Sequence, residues 1–231
     1  MLQNKTYIIS LGGSLIAPKK GIDIQFIKKF QKFVETQTKK NIKFFIITGG
    51  GFTCRYYQEA AKKIDKKISK KDLDWIGISS SKLNAMFIKT IFDKLAYEEI
   101  ITNPEKKIKT NKKLIIASGW KPGWSTDYVA TILAKNYKIK NIINLSNIDY
   151  AYTKDPQKFN DAQKIKEINW KNFRKIVGNK WTPGLSMPFD PIASKKCEEL
   201  NIQVVIANGK KLKNLENILE AKKFQGTIIK N

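Results

Sequence analysis

The run KFFIITGGG, residues 43–51, decides the fold class of this chain. It begins as an apolar, β-forming strand and ends in three glycines, and a helical pattern then continues to about Lys63. The same order occurs earlier, where an apolar run at residues 7–11 ends in Gly12-Gly13-Ser14 and precedes a helical pattern over residues 24–34. A repeated order of strand, glycine turn and helix is typical of a mainly parallel sheet with helices on both faces.

The rest of the chain continues this alternation. A long helix is predicted over residues 74–95, and a Gly/Pro/Ser loop at residues 118–125 opens onto a helix that begins at Thr126. Because there is no repeat, low-complexity linker or break in composition, we expect residues 1–231 to form a single α/β domain. Further strands are predicted at residues 113–117, 141–145, 203–207 and 227–229, and a further helix after Pro191.

The composition excludes several kinds of protein. Histidine is absent, which removes imidazole bases, histidine metal ligands and histidine-containing triads. The formal net charge of +24 first suggests a nucleic-acid partner, but nearly all of the positive charge is scattered lysine, and Arg55 and Arg174 are the only arginines. Nucleic-acid binders favour arginine because its planar group grips phosphate and guanine with two bonds. We therefore expect a solvated basic surface and no specific nucleic-acid partner.

Cysteine usage and hydropathy predict where the protein works. Cys54 and Cys197 are too few for a disulfide framework and lack metal-ligand spacing. No apolar run is long enough to span a bilayer, and residues 1–10 show no signal-peptide pattern. We therefore expect a cytoplasmic protein with no membrane partner and no metal site made of protein ligands.

Glycine-rich turns recur where a predicted strand meets a helix, at Gly12-Gly13, residues 49–51 and Pro122-Gly123. In an open parallel sheet the carboxyl ends of the strands share one edge, which is where ligands bind. Glycines there let the backbone approach closely, and exposed amides attract phosphate. One such turn often reflects turn geometry alone, whereas three on one edge favour a polyphosphate ligand. None of them matches the P-loop or the dinucleotide-binding pattern.

Polar residues beside these turns have both a structural and a functional interpretation. Arg55 follows the second turn in a chain that otherwise uses lysine, which favours a phosphate clamp over a surface cation. Residues 125–127 fit a helix N-cap, and Asp127 could also position cations around phosphates. The segment 146–156 fits a polar turn, or a tyrosine between carboxylates that borders a nucleotide base.

Together these motifs resemble those of the amino acid kinase superfamily, and within it the archaeal-type UMP kinase branch is the most similar. Each motif is weak alone, but six in order are specific to the superfamily, and the resemblance covers nearly the whole chain. The motifs are Gly12-Gly13-Ser14; Gly49-Gly50-Gly51 with Arg55; Asp74-Trp75-Ile76-Gly77; Pro122-Gly123-Trp124-Ser125-Thr126-Asp127; Ser146-Asn147-Ile148-Asp149 with residues 152–156; and Asp190-Pro191.

The resemblance implies a fold, a reaction and a set of ligands. The fold would be a three-layer αβα sandwich with a mostly parallel central sheet. The reaction would transfer the γ-phosphoryl group of ATP to UMP, giving UDP and ADP in pyrimidine nucleotide biosynthesis. Mg²⁺ would be carried with ATP, and the chains would form a homo-oligomer, commonly a hexamer.

The resemblance also implies roles for individual residues. Asp127 and Ser14 would be catalytic, with Asp127 organising the cations around the transferring group, and Asp74 would bind the ribose of UMP. The ATP side would comprise Gly13, Ser14, Gly51, Arg55, Ser146, Tyr152 and Asp155. The UMP side would comprise Gly50, Asp74, Trp120, Lys121, Pro122, Gly123, Trp124, Ser125 and Thr126.

The sequence departs from the family pattern at three informative positions. Ser10 stands where many members have a catalytic lysine, a substitution also found in the archaeal branch, so the catalytic cation is unassigned. Tyr150 replaces the glycine that usually follows Asp149 on the ATP side. Lys82 replaces an arginine on the acceptor side.

Phosphoryl transfer suits a chain without histidine, because it depends on positioning and charge stabilisation. A nucleotide phosphate has a second pKa of about 6 and is already an anionic nucleophile near neutrality. Isopentenyl phosphate kinase, a similar fold, relies on a histidine that this chain lacks. The alternative from another class is a catalytically idle nucleotide sensor or RNA-binding module, which Ser10 and Tyr150 would support. The sequence does not show whether UMP is preferred over CMP as the acceptor, and it does not predict regulation by GTP or UTP.

Overall fold

The computed structural model describes residues 5–180 and 187–231. The strands in chain order are β1 (Thr6–Leu11), β2 (Lys43–Thr48), β3 (Leu114–Ala117), β4 (Asn141–Ser146), β5 (Ala151–Tyr152), β6 (Lys164–Ile165), β7 (Glu167–Asn169), β8 (Gln203–Asn208) and β9 (Thr227–Lys230). The helices are α1 (Gly13–Ile16), α2 (Ile24–Lys39), α3 (Gly51–Ile64), α4 (Lys70–Phe92), α5 (Thr126–Asn136), α6 (Trp170–Val177), α7 (Pro191–Glu199) and α8 (Leu212–Leu219), and a 3₁₀ turn spans Asp93–Leu95. Within these ranges no helix is long and apolar enough to cross a membrane.

The central sheet has seven strands in the order β3-β2-β1-β4-β8-β9-β7. The first five of these are parallel neighbours. β9 runs antiparallel to β8, and β7 is parallel to β9. β5 and β6 form a separate antiparallel pair. The expected mostly parallel sheet is therefore confirmed, with a reversed edge.

Helices cover both faces of this sheet, which explains the apolar runs of its strands. In β2, Phe45 and Ile47 pack with α5, α6 and α7, whereas Phe44 and Ile46 pack with α1, α2, α4 and α8. These four side chains are all buried. A strand that is covered on both faces needs apolar side chains at every position rather than at alternate ones. The expected three-layer αβα arrangement is confirmed.

One predicted helix boundary is wrong in a way that bears on the site. Helix α4 begins at Lys70 rather than at Asp74, because Ser69 is its N-cap and the Ser69 Oγ accepts a hydrogen bond from the Asp72 amide at 3.1 Å. Asp74 therefore lies in the second turn of the helix. A helix-starting role does not account for its carboxylate.

The region between β4 and α7, in which no helix or strand was predicted from the sequence, contains further structure. It includes the β5–β6 pair, the edge strand β7 and helix α6. Trp170 begins α6, is fully buried, and donates a hydrogen bond from its Nε1 to the Ile202 carbonyl at 3.0 Å. Helix α8 was also not predicted. These short elements are held by packing against the sheet rather than by a strong local pattern.

Candidate active site

A cleft of about 310 Å³ opens at the carboxyl ends of the parallel strands. Its walls are the glycine turns after β1 and β2, the first turns of α3 and α5, and the N-terminal half of α4. This is the edge at which the sequence predicted a ligand site. The predicted site residues that line the cleft are Gly13, Ser14, Gly50, Gly51, Arg55, Asp74, Trp124, Ser125, Thr126, Asp127 and Ser146.

The two glycine turns touch each other backbone to backbone. A Cβ atom on Gly13 would lie 2.1 Å from the Gly51 nitrogen and 2.5 Å from the Gly49 carbonyl. Gly51 itself has a φ of +69°, in the left-handed region that favours glycine. Gly12 is tied to the neighbouring strand by a 2.8 Å hydrogen bond from its amide to the Leu145 carbonyl. Glycine is required here by close approach, and the result is a cleft wall made of main chain.

Asp127 lies in the first turn of α5, and both of its carboxylate oxygens are held. Ser10 Oγ donates a hydrogen bond to Oδ1 at 2.8 Å, and the Asp190 amide donates to Oδ2 at 3.2 Å. Burial, together with the negative charge of Asp190, raises the pKa of Asp127 to about 7, and the two hydrogen bonds offset this only in part. A fixed carboxylate with a perturbed pKa in a cleft is typical of a functional group.

The N-cap of α5 is Ser125 rather than Asp127. The Ser125 Oγ accepts a hydrogen bond from the Tyr128 amide at 3.1 Å. The N-cap role expected within residues 125–127 therefore belongs to Ser125. Asp127 does not cap the helix, and its carboxylate interacts with Ser10 and the Asp190 amide beside the cleft.

Ser10 shows how the chain fills the position at which many family members have a lysine. It is the second-last residue of strand β1, just before the first glycine turn, and it is only 3% exposed. Its hydroxyl orients the Asp127 carboxylate through the hydrogen bond described above. A serine supplies this orientation without adding a positive charge.

Asp74 joins helix α4 to the loop before α5. Its Oδ2 accepts a 2.7 Å hydrogen bond from the Gly123 amide, and within the described ranges its Oδ1 has no protein donor. Burial raises the pKa of Asp74, and the bond from Gly123 lowers it in part. The residue is 7% exposed and lines the cleft, so the unpaired oxygen is placed to accept a ligand hydroxyl.

Two polar residues of α4 that the sequence did not single out hold the cleft together. Ser81 Oγ donates to the Thr48 carbonyl at 2.7 Å and accepts from the Gly119 amide at 2.7 Å. Asn84 Nδ2 donates to the Gly49 carbonyl at 2.7 Å. Both side chains are buried, so these bonds fix the ends of β2 and β3 to the helix. Their only sequence signal is two polar residues, three apart, on the inner face of a long helix.

Arg55 projects from the beginning of the second turn of α3 and is exposed at the cleft. Its guanidinium carbon lies 4.6 Å from the centroid of the Phe52 ring, a cation–π contact. Within the described part of the chain it makes no ion pair, whereas the other arginine, Arg174, bonds Glu198 at 2.6 Å. The donors of Arg55 are thus free for an anion.

The loop before α5 is built on stacked aromatic rings. The rings of Trp120 and Trp124 are 6.4 Å apart and those of Trp124 and Tyr128 are 4.0 Å apart, each pair nearly parallel. Lys121 Nζ lies 3.8 Å from the centroid of the Trp120 ring. Of the loop residues predicted on the UMP side, Trp124, Ser125 and Thr126 line the cleft, whereas Trp120, Lys121, Pro122 and Gly123 do not.

Two residues predicted on the ATP side lie apart from the cleft wall. Tyr152 belongs to β5 and pairs with Lys164 of β6. Asp155 is exposed, and its Oδ1 accepts a 3.0 Å hydrogen bond from the Gln157 amide. The structure brings neither side chain into the 310 Å³ cleft, so their binding role stays a prediction.

With this geometry established, comparison with known proteins identifies the family. The model of the amino acid kinase family matches residues 5–208. The chain belongs to the amino acid kinase family.

Its relatives narrow the class further. The uridylate kinase of Methanococcus aeolicus is 30% identical over 205 residues, covering 87% of this chain and 90% of that relative. The uridylate kinase of Pyrococcus abyssi is 29% identical over 225 residues, covering 96% and 98%. The crystal structure of uridylate kinase from Archaeoglobus fulgidus superposes with a TM-score of 0.80 at 26% identity, covering 96% of this chain and 99% of that one. The UMP kinase of Bacillus anthracis, at 17% identity and a TM-score of 0.76, shares the fold.

Proposed function

We propose that this chain is a UMP kinase, a phosphotransferase that moves the γ-phosphoryl group of ATP to UMP and yields UDP and ADP for pyrimidine nucleotide biosynthesis. The observation that carries the proposal is the strand-end cleft, which gathers two glycine turns, Arg55, Asp74 and Asp127 in one place. The uridylate kinase relatives, which match over most of their length, support the same conclusion.

The proposed chemistry is a direct displacement at phosphorus. An oxygen of the UMP phosphate attacks the γ-phosphorus of ATP, and the bond from that phosphorus to the bridging oxygen breaks, so that ADP leaves with the electron pair. The nucleophile is already anionic near neutral pH, so the step needs no protein base. The protein's task is to hold two polyanions in line and to stabilise the charge that develops between them.

The cleft offers groups suited to each part of this task. On the ATP side, the glycine turns present main-chain amides beside Gly13, Ser14 and Gly51, and Arg55 supplies a cation for the phosphates. Ser146, Tyr152 and Asp155 remain proposed for the adenine nucleoside. On the acceptor side, Gly50 and Asp74 would face UMP, and the loop from Trp120 to Thr126 would surround its phosphate and base.

We also propose that Mg²⁺ enters with ATP. The described residues contain no cluster of three or more cysteine, aspartate or glutamate side chains that could hold a metal. Mg²⁺ on nucleotide phosphates typically needs only one or two protein carboxylates nearby. Two carboxylates line the cleft, those of Asp74 and Asp127, and Asp127 is the one proposed to lie beside the transferring phosphoryl group. Bound there, the ion would neutralise charge on the transferring phosphoryl group. The phosphate oxygens of ATP would hold it, and Asp127 would orient the surrounding cations.

The assembly is proposed to be a homo-oligomer, with a hexamer expected. Support comes from apolar side chains on the outer faces of α3 and α4, where Tyr57, Ile64 and Leu83 are more than 60% exposed. Large exposed apolar groups on adjoining helices are typical of a protein interface, and here the occupant would be a second copy of the chain.

The sheet contains strands from Thr6 to Lys230, which supports a single domain. The two free cysteines fit a cytoplasmic location.

An assay of ADP release with Mg-ATP and a panel of acceptors tests the proposal. We expect turnover with UMP and none with isopentenyl phosphate, because the chain has no histidine. CMP in the same assay measures base discrimination. Comparable rates with isopentenyl phosphate and UMP would overturn the assignment of the acceptor. Binding of both nucleotides without ADP release would favour the nucleotide sensor.

Asp74→Asn should raise the KM for UMP about 10- to 100-fold and leave the KM for ATP nearly unchanged. The reason is that the free Oδ1 is placed to accept a ribose hydroxyl, and loss of a charged acceptor typically costs about 1.5–3 kcal/mol. Steady-state kinetics with each substrate varied in turn would measure the effect. Asp72→Asn, an exposed carboxylate in the preceding turn of α4, serves as the matched control and should leave both constants unchanged. An unaltered KM for UMP in Asp74→Asn would place that residue outside the acceptor site.

Arg55→Lys should lower kcat/KM about tenfold with little change in melting temperature. The substitution keeps the charge but removes the planar two-donor group that grips phosphate, and an exposed arginine without an ion pair contributes little to folding. Kinetics and thermal melts of the same preparations would measure both effects.

The second arginine provides the control for this experiment. Arg174→Lys changes a residue that bonds Glu198 away from the cleft, so turnover should be retained while stability falls slightly. Full activity in Arg55→Lys would mean that any cation suffices at that position. Arginine at residue 55 would then have no role that lysine cannot fill.

A further inference from the structure

A second and larger cavity lies beside helix α8. Its volume is about 960 Å³, and it is bounded by α8, the turn of residues 221–226, the edge strand β7, its neighbour β9, and Tyr150. We call it the α8 groove. None of the residues that line it also lines the strand-end cleft, so the two are separate features, and none of the residues proposed to bind ATP or UMP lines the groove.

The walls of the α8 groove are held in place by side-chain amides. Asn214 Nδ2 donates to the Gln225 carbonyl and the Gln225 amide donates to Asn214 Oδ1, both at 2.7 Å. One helical turn later, Asn217 Nδ2 donates to the Lys223 carbonyl at 3.2 Å, and the Lys222 amide donates to the Asn217 carbonyl at 2.8 Å. The turn is therefore fixed to the helix before any ligand arrives, as in most small-molecule sites.

The charge that lines the α8 groove is mostly positive. One acidic residue, Glu167, lines it, and Lys230 pairs with that carboxylate at 2.9 Å. Of the lysines, Lys166 and Lys223 are exposed and form no ion pair within the described ranges. The lysines that line the groove are Lys166, Lys211, Lys213, Lys222 and Lys223.

The remaining three lysines are paired only weakly. Lys211 contacts Asp149 at 2.8 Å, and Lys213 contacts Glu216 at 2.8 Å. Lys222 contacts Glu220 at 2.7 Å, and the side chains of all three lysines are at least 43% exposed. Exposed ion pairs of this kind contribute little to stability. A multivalent anion in the groove can therefore replace the carboxylates as the partner of these lysines with little loss of stability.

Two further features fit an anion that carries an apolar group. The N-cap of helix α8 is Lys211, which makes no side-chain cap hydrogen bond, and the first turn of the helix has no acidic residue. A helix N-terminus favours negative charge, so this end of α8 can interact with an anion. Phe224 and Tyr150, both partly buried, supply flat apolar surface on the same lining. A helix start alone would not make a site; here it adds to a formed cavity that is already basic.

We propose that the α8 groove binds a phosphate-bearing anion, either a nucleotide or free polyphosphate. Its phosphates would meet Lys166, Lys223 and the start of α8. The base of a nucleotide would pack against Phe224. The groove is larger than a single phosphate needs and lies within the usual size range for small-molecule sites.

Calorimetric titration of the full chain with inorganic triphosphate, and separately with ATP, tests this. We expect two sites per chain in the wild type, one in the cleft and one in the α8 groove. The double variant Lys166→Gln/Lys223→Gln, which breaks no ion pair in the described structure, should weaken the groove site about tenfold and leave the cleft site intact. Arg55→Gln should affect the cleft site and retain the groove site. Binding in the groove should weaken as NaCl is raised.

A charge-matched variant, Lys28→Gln/Lys63→Gln, removes two exposed lysines elsewhere and should bind as the wild type does. Phe224→Leu distinguishes the two ligand sources: weaker binding of ATP with unchanged binding of triphosphate indicates a nucleotide, and no change in either indicates polyphosphate. A single site per chain in the wild type would overturn the proposal. So would equal weakening in the groove variant and the charge-matched variant. Neither outcome bears on UMP phosphorylation, which is assayed separately.

Discussion

Gly13→Ala should lower the free energy of unfolding by about 3 kcal/mol or more and abolish activity at physiological temperature. The new Cβ atom would lie 2.1 Å from the Gly51 nitrogen, and the neighbouring atoms are backbone that cannot swing aside. Because Gly13 is the first residue of helix α1, an alanine with free space there would instead stabilise the helix. The sign of the change in the free energy of unfolding therefore shows whether the backbone of the second glycine turn packs against Gly13. Denaturant unfolding followed by circular dichroism would measure it.

Gly21→Ala is the control that separates close approach from backbone strain. Gly21 has a φ of +99° but no atom within 4 Å of a built Cβ, so its substitution should cost only about 1 kcal/mol. If the two variants lose similar stability, contact between the turns is not what requires glycine at residue 13. A stable Gly13→Ala protein with normal activity would contradict the backbone-to-backbone packing of the cleft wall.

The strands of the sheet were predictable because burial on both faces leaves a simple pattern. β2 matches its predicted bounds, and β1, β3, β4, β8 and β9 differ from theirs by one residue at one end. Each is a run of mainly apolar residues, and most of these side chains are buried between the two helix layers, although Ile228 of β9 is only partly buried. Helix α5 begins at Thr126 as predicted, since Ser125 is a strong N-cap.

The missed elements are those whose stability comes from distant residues. Helix α6 has eight residues, too few to be stable alone, and depends on the burial of Trp170 and Phe173 in the core. β7 is a three-residue edge strand that exists because β9 pairs with it. The start of α4 was misplaced because Ser69, its true cap, follows a lysine-rich turn that does not read as part of a helix.

The position of the candidate site and the types of residue that form it were predictable from the sequence. The hydrogen bonds that join these residues were not. The strand-end rule placed the glycine turns and Asp127 at one edge, the resemblance to the family added Asp74, and the structure brings them into one cleft. No spacing in the sequence could reveal that Ser10, 117 positions away, bonds Asp127, or that the Asp190 amide bonds its other oxygen. Contacts of this kind depend on the order of strands in the sheet. The individual roles in binding and catalysis stay predictions.

The carboxyl group of Asp127 is expected to serve function at the expense of the stability of the fold. Its environment raises the pKa of its carboxyl from 3.8 to about 7, mainly through burial and then through the negative charge of Asp190. A pKa raised by folding means that the folded state holds its proton more tightly than the unfolded chain does. Wild-type stability should therefore fall as pH rises from about 4 to about 7, the interval between the two pKa values.

Asp127→Asn should consequently lower kcat about a hundredfold or more while raising stability above neutral pH. Activity falls because the neutral amide cannot orient cations around the transferring phosphoryl group, and loss of one preorganised charge in an active site is costly. Stability rises because asparagine stays neutral in the buried position. The gain should be about 1–3 kcal/mol at pH 8 and close to zero at pH 4. Unfolding curves of both nucleotide-free proteins across this pH range, with kinetics at pH 8, would measure the two effects.

The pairing of lost activity with gained stability is what separates Asp127 from a structural carboxylate. Asp65→Asn, which alters an exposed carboxylate at the end of α3 that accepts a bond from the Lys67 amide, is the control and should leave turnover unchanged. If Asp127→Asn is instead less stable at pH 8, the ionised carboxylate supports the fold, and Ser10 and the Asp190 amide are sufficient partners for its charge. If it retains full turnover, the cations of the reaction are organised by another group.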